Sequence, residues 1–122
     1  MDRVVISITL PCLALSPNGR VHWGAKQRAT RQQRMAAWGL TLQAIGRNDA
    51  PRWTAATVKV TYFYKVHGTR DRDNALAKLK AAFDGMADAG LVVNDSAFTY
   101  LPVGESEIDR RNPRVQIEVW RT

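Results

Sequence analysis

Asp71, Asp73, Lys80 and Asp95 are the residues of this chain whose types and spacing could do chemistry. In "RDRDNALAKLKAAFD", residues 70–84, two carboxylates stand one residue apart between arginines, and Asp95 follows in "VVNDS". Side chains at i and i+2 of an extended run point the same way, so Asp71 and Asp73 can converge. Carboxylate oxygens are hard ligands. Three of them at the ends of adjacent elements suit Mg2+, with Mn2+ as a substitute, and such an ion keeps waters for exchange with substrate phosphates. Each acid also has a plainer use. Asp73 stands where a helix N-cap belongs, Asp71 can pair with Arg70 or Arg72, and Asp95 can be an ordinary turn residue. On spacing alone both readings of a pattern as short as DxD stay open.

A lysine near such acids would offset charge on a phosphate. At about 100° per residue, Asp73, Lys80 and Asp84 fall on nearly one line of a helix, at i, i+7 and i+11, whereas Lys78 is directed away into solvent. The Lys80 side chain leans toward the helix N-terminus and so toward the acids. Its alternative is an i, i+4 ion pair with Asp84.

The elements that must position these groups are legible from periodicity. "RVVISITLP" alternates Val4, Ile6, Ile8 and Leu10 against Val5, Ser7 and Thr9, a half-buried strand. "SPNGRVHWG" is a turn-rich loop that carries Arg20, His22 and Trp23 toward solvent. From about Lys26 to Ile45, Met35, Trp38, Leu42 and Ile45 recur at helical spacing. "ATVKVTYFYKV" is a second strand with Val58, Val60, Tyr62 and Tyr64 on one side. A second helix, roughly Asn74 to Ala89, buries Leu76, Leu79, Phe83 and Met86 and ends at Gly90. "LVVND" is extended, and "FTYLPV" and "PRVQIEVW" read as strands joined by the charged loop "GESEIDRRN". The order β-α-β-α-β-β predicts an α/β or α+β fold with a mixed sheet and two main helices. At 122 residues the chain is one domain, 1–122.

Charge indicates the partner. Lys and Arg number 18 against 11 Asp and Glu, a net charge of +7, and 13 of the 18 are Arg. The planar guanidinium matches phosphate oxygens, so a polyanion, nucleic acid first, is expected. Lys26, Arg28, Arg31 and Arg34 load the first half of the first helix, where cations oppose the macrodipole; they read either as a solvated face or as a phosphate-facing patch. The lone Cys12 excludes an intrachain disulfide, indicates a cytoplasmic setting, and is expected in or beside a strand. "VVISITLPCLAL" is short, β-branched, broken by Pro11 and preceded by Asp2, which argues against a signal peptide. No apolar run is long enough to span a bilayer.

"RDRDNALAKLKAAFDGMADAGLVVNDS", together with "LSPNGRVHW", resembles the RusA family of Holliday-junction resolvases, endodeoxyribonucleases often encoded by phages and prophages. The resemblance spans most of the chain. Its specific part is the composite of DxDN, a lysine before an "AAFD"-like segment, and a following aspartate. It implies Asp71, Asp73 and Asp95 as ligands of Mg2+ and Lys80 as the catalytic lysine. Arg20, His22, Lys26, Arg28, Arg31, Arg34, Arg70 and Arg72 are then the candidate DNA contacts. It also implies a symmetric homodimer that nicks opposing strands of a four-way junction during recombination and repair. Two departures stand out. The lysine lies three residues further from DxDN than in some members, a shift from i+4 to i+7 that keeps the helix face. Asn94 stands where some relatives carry another acid, and an amide carbonyl coordinates without charge.

Two rival readings differ in kind. A non-catalytic, structure-selective DNA-binding protein explains the charge but not acids within a surface that must meet phosphate. A nucleotide-sugar transferase uses DxD for its metal but needs a longer chain.

Overall fold

A computed structural model describes residues 1–16, 22–68 and 74–122. Five strands and two helices follow one another as β1 (Arg3–Ile8), α1 (Trp23–Ile45), β2 (Ala56–Tyr64), α2 (Lys80–Asp88), β3 (Phe98–Tyr100), β4 (Glu107–Ile108) and β5 (Arg114–Arg121). Single 3-10 turns occupy Leu13–Leu15, Ala77–Leu79 and Asp95–Ala97. This is the mixed-sheet α+β fold that periodicity predicts.

The β-branched alternation of the long strands sets the sheet. β5 lies between β1 and β2 and is antiparallel to both, so β1 and β2 run parallel with the last strand wedged between them. β3 and β4 both pair with β2 in parallel, β3 at its start and β4 at its end. Val4, Ile6 and Ile8, then Ala56, Val58, Val60 and Tyr62, then Val115, Ile117 and Val119, are buried on one face. Each such Val or Ile contributes roughly 1.5–3 kcal/mol when fully buried, and this face packs against Leu79, Ala82, Phe83 and Met86. The other face is more open and is laced by polar contacts, among them Arg3 to Glu118 at 2.8 Å and the Arg114 guanidinium 3.8 Å over the Phe63 ring.

Where the structure departs from expectation, packing explains it. α1 begins at Trp23 instead of Lys26, so Trp23 is helical and His22 is its N-cap. Its buried residues are Gln33, Ala37, Thr41 and Ile45, while Met35 and Trp38 are exposed and Leu42 is only partly buried. The cause lies at Gly85, where a Cβ would overlap the Arg34 carbonyl oxygen and come within 3.1 Å of the Trp38 nitrogen. Helices that approach backbone to backbone leave room only for small or well-bonded side chains between them.

The second helix is not continuous from Asn74 to Ala89. A 3-10 turn precedes α2, which spans Lys80–Asp88, and Leu76 is half-buried while Leu79, Phe83 and Met86 are buried. Gly90, at φ +91°, follows it as expected of a helix stop. The "GESEIDRRN" segment contains β4, and its turn is tied by Asp109, which accepts from the Arg111 and Asn112 nitrogens and from Arg114. Cys12 is exposed, beyond the end of β1 and just before a 3-10 turn.

Candidate active site

The first turn of α2 carries Lys80, and it lacks a capping side chain of its own, because its N-cap is Leu79. A glutamine of α1 supplies what is missing. Gln33, 8% exposed, donates through Nε2 to the Lys78 carbonyl at 2.9 Å and accepts at Oε1 from the Ala82 nitrogen at 3.0 Å. One side chain thus satisfies two backbone groups across the junction between the 3-10 turn and α2. The Tyr62 hydroxyl donates to the Ala75 carbonyl, anchoring the same segment to β2 from the other side.

From that support Lys80 reaches outward. Its Nζ lies 3.5 Å from Asp84 Oδ1 and 3.9 Å from Asp95 Oδ2. The ion pair with Asp84 is therefore present, and Asp95 joins it from a different element. Lys78 does not point into solvent: it is half-buried, and Lys80 is the exposed lysine. Asp95 lies three residues before Phe98, which pairs with Ala56 at the start of β2. There its carboxylate meets Lys80, the first residue of α2.

Arg34, Lys80, Asp84, Asp88, Asn94 and Asp95 line an open depression of about 460 Å³. Among the described residues two cations face three carboxylates there, so a protein of net charge +7 is locally acidic at this point, its negative pole. Arg34 grips Asp88 with two hydrogen bonds, 2.6 and 3.0 Å, and this contact raises the guanidinium pKa and lowers that of the carboxyl. Tyr100 borders the same region. Burial first, then the charges of Asp95 and Asp84, hold its phenol above its ordinary value. Its ring packs 4.9 Å from Phe83. Asn94 does not offer its carbonyl to a ligand: Oδ1 accepts from the Ser96 nitrogen at 2.9 Å and from the Ser96 hydroxyl, capping the 3-10 turn.

The basic face of α1 adjoins this depression. Lys26, Arg31 and Arg34 lie on it, His22 precedes it as the N-cap, and Arg28, two residues on from Lys26, is turned to another side of the helix. His22 Nδ1 accepts from the Gly24 nitrogen at 3.1 Å, so it serves α1 as a cap. Lys26, Arg31 and Arg34 share a groove with Trp23, whereas Arg28 does not line it. Arg34 also lines the acidic depression, and Lys26 shares a third hollow with Lys80 and Asp84. Cationic trough and acidic pole are thus continuous.

Asp71, Asp73, Arg20, Arg70 and Arg72 lie outside the described residues. Among the described residues no three His, Cys, Asp or Glu side chains form a group that could hold a metal ion. Of the three acids expected to hold Mg2+ only Asp95 is described, and its carboxylate is a hard oxygen donor of the kind that ion takes, 3.9 Å from Lys80 Nζ. Two contributors were missed from sequence. Tyr100 was signalled only by its place two residues after Phe98, on the same strand face. Gln33 carried no signal, since a helical glutamine ordinarily faces solvent.

The chain is 36% identical over 113 residues to an uncharacterized protein of Xylella fastidiosa (strain Temecula1 / ATCC 700964), covering 84% of this chain and 68% of that protein. No family model matches the chain.

Proposed function

We propose that this chain, which belongs to one family with that Xylella fastidiosa protein, is a metal-dependent endodeoxyribonuclease of the RusA type. It resolves four-way DNA junctions by paired nicking, as a homodimer whose twofold axis matches that of the junction. One observation carries the reading: Lys80 stands between the carboxylates of Asp84 and Asp95, in a negative pole beside a cationic trough. A DNA-binding protein without catalysis gains nothing from acids at that place, because they repel phosphate.

Asp71, Asp73 and Asp95 would hold Mg2+, which when bound supplies polarisation of the phosphate and a water of lowered pKa. Lys80, freed from Asp95, offsets the negative charge that grows on the phosphate oxygens in the transition state. Asp84 keeps the ammonium aimed from one turn further along α2. Lys26 and Arg31 take the backbone of the incoming strand, and Arg34, held by Asp88, walls the passage between trough and pole. Among the described residues no helix is long and apolar enough to cross a membrane.

The test is cleavage of a labelled four-way junction and of a linear duplex, with and without Mg2+. Metal-dependent paired nicks in the junction are expected. Tight junction binding without nicks under any divalent ion would leave a structure-selective binder in place of the enzyme.

A further inference from the structure

The groove on α1 holds a feature that phosphate binding does not need. Trp23 is 71% exposed at the first turn of the helix. With Lys26, Gln27, Thr30, Arg31 and Arg34 it lines an open groove of about 470 Å³ that has no acid among the described residues. The spacings i, i+3, i+4, i+7, i+8 and i+11 make these residues one continuous stripe. Among the described residues neither Lys26 nor Arg31 pairs with a carboxylate, whereas Arg34 is spent on Asp88. A large aromatic face is left in water beside two uncommitted cations.

We infer that this groove receives an unpaired nucleobase of the DNA strand, stacked on the Trp23 indole, with the flanking phosphates on Lys26 and Arg31. The inference rests on DNA being the partner, as proposed above, and not on cleavage. An aromatic ring in a cationic groove is the general means of holding a single strand, since every base has a π-face while the cations track the backbone. Charge selects the occupant: among the described residues each ionic side chain in the groove is positive, so a strand of phosphates complements it. In a continuous duplex each base is stacked on both faces. Only a base at a branch point, gap or end can offer one to an indole. Trp23 and Arg34 are eleven residues apart, about 16 Å along the helix, or about five nucleotides at the 3.4 Å spacing of a stacked strand. The stacked base therefore lies a few nucleotides from the acidic pole, and the groove selects for branched over linear DNA.

The experiment is equilibrium binding in EDTA, where no cleavage occurs, of a four-way junction, a single-stranded oligonucleotide and a linear duplex. The proteins are wild type, Trp23→Phe and Trp23→Ala, with melting temperatures checked. A parallel junction carries 2-aminopurine beside the branch point. Trp23→Ala is expected to lose roughly ten- to hundredfold in affinity for the junction and the single strand while duplex binding is unchanged. Trp23→Phe should recover most of that loss, and wild type but not Trp23→Ala should quench 2-aminopurine. Trp23→Ala binding every substrate as tightly as wild type does, or an equal loss on duplex, overturns the inference and leaves the nuclease reading intact. Trp23-dependent junction binding by a protein that never cuts supports the inference and sinks the nuclease. Failure of wild type to bind any DNA overturns both.

Discussion

Removing the Lys80 ammonium separates its two roles by magnitude. The pair with Asp84 is an exposed i, i+4 contact, with Lys80 72% exposed, and such pairs are worth about 0.3–0.5 kcal/mol. A catalytic charge beside a phosphate is worth far more: loss of one such donor slows reactions by roughly a hundredfold or more, about 2.7 kcal/mol. Lys80→Ala should therefore melt as wild type does, bind junction DNA normally, and cut about a hundredfold more slowly in single turnovers at saturating protein and Mg2+. Lys78→Ala keeps the backbone carbonyl that Gln33 uses and should cut at nearly the wild-type rate. If the Lys78 variant were the dead one, the assignment of the lysine would be reversed. Asp95→Asn should abolish cleavage with junction binding unchanged or tighter, because it removes an oxygen ligand together with a charge that repels phosphate. Full cleavage by that variant would remove Asp95 from the metal set. Lys80 and Asp95 were legible from residue type and spacing. Their meeting was not, because it depends on the crossover from α2 to β3 and not on local periodicity.

At the scale of elements, the close crossing of α1 and α2 governs how Lys80 is held. Gly85→Ala would drive a methyl group into the Arg34 carbonyl, and overpacking of this kind costs about 1–3 kcal/mol or more. Its melting midpoint in urea should fall clearly, and an unchanged midpoint would mean the helices do not meet backbone to backbone. The same crossing explains what sequence reading could and could not see. The strands announced themselves, since Val4, Ile6, Ile8 and Val58, Val60, Tyr62 alternate cleanly with exposed or half-buried neighbours. The buried stripe of α1 did not, because Gly85 admits only Ala37, Thr41 and a bonded Gln33 at the crossing and pushes the large Met35 and Trp38 outward. The Arg34–Asp88 clamp across this crossing also predicts a pH dependence. Asp88 is held below its ordinary pKa chiefly by the Arg34 hydrogen bond. Its stabilisation is therefore present above the unfolded carboxylate value, about 3.9, and is lost as pH falls through the lower folded value. Both side chains are 41–49% exposed, so the effect should stay under about 1 kcal/mol. Thermal melts of wild type and Asp88→Asn should differ at neutral pH and converge in strong acid; a constant difference down to the most acid conditions would rule the clamp out.

For the whole molecule, the +7 net charge makes DNA association strongly salt-dependent whichever site does the chemistry, so total affinity says little about which cations touch phosphate. The slope of log K against log salt says more, because it falls by about 0.9 for each phosphate left unneutralised on a duplex and about 0.7 on a single strand. The structure divides the basic residues of α1 that line the groove into two groups. Lys26 and Arg31 line the groove without an acidic partner among the described residues, while Arg34 is bound to Asp88 at 2.6 Å. Removing the first two should reduce counterion release without loosening the fold; removing the third should loosen the helix crossing with little effect on counterions. The double variant Lys26→Ala/Arg31→Ala is thus expected to reduce the salt slope on the junction by between about one and two units, to weaken binding to the junction with a smaller loss on duplex, and to melt as wild type. Arg34→Ala should show the opposite pattern, a nearly unchanged slope with a lower melting temperature. Arg28 lies off the groove, so Arg28→Ala should change neither quantity much. Salt titrations of all three proteins, each paired with a melt, decide the matter. A double variant with an unaltered slope would return the face of α1 to plain solvent exposure and confine DNA to cations elsewhere on the protein.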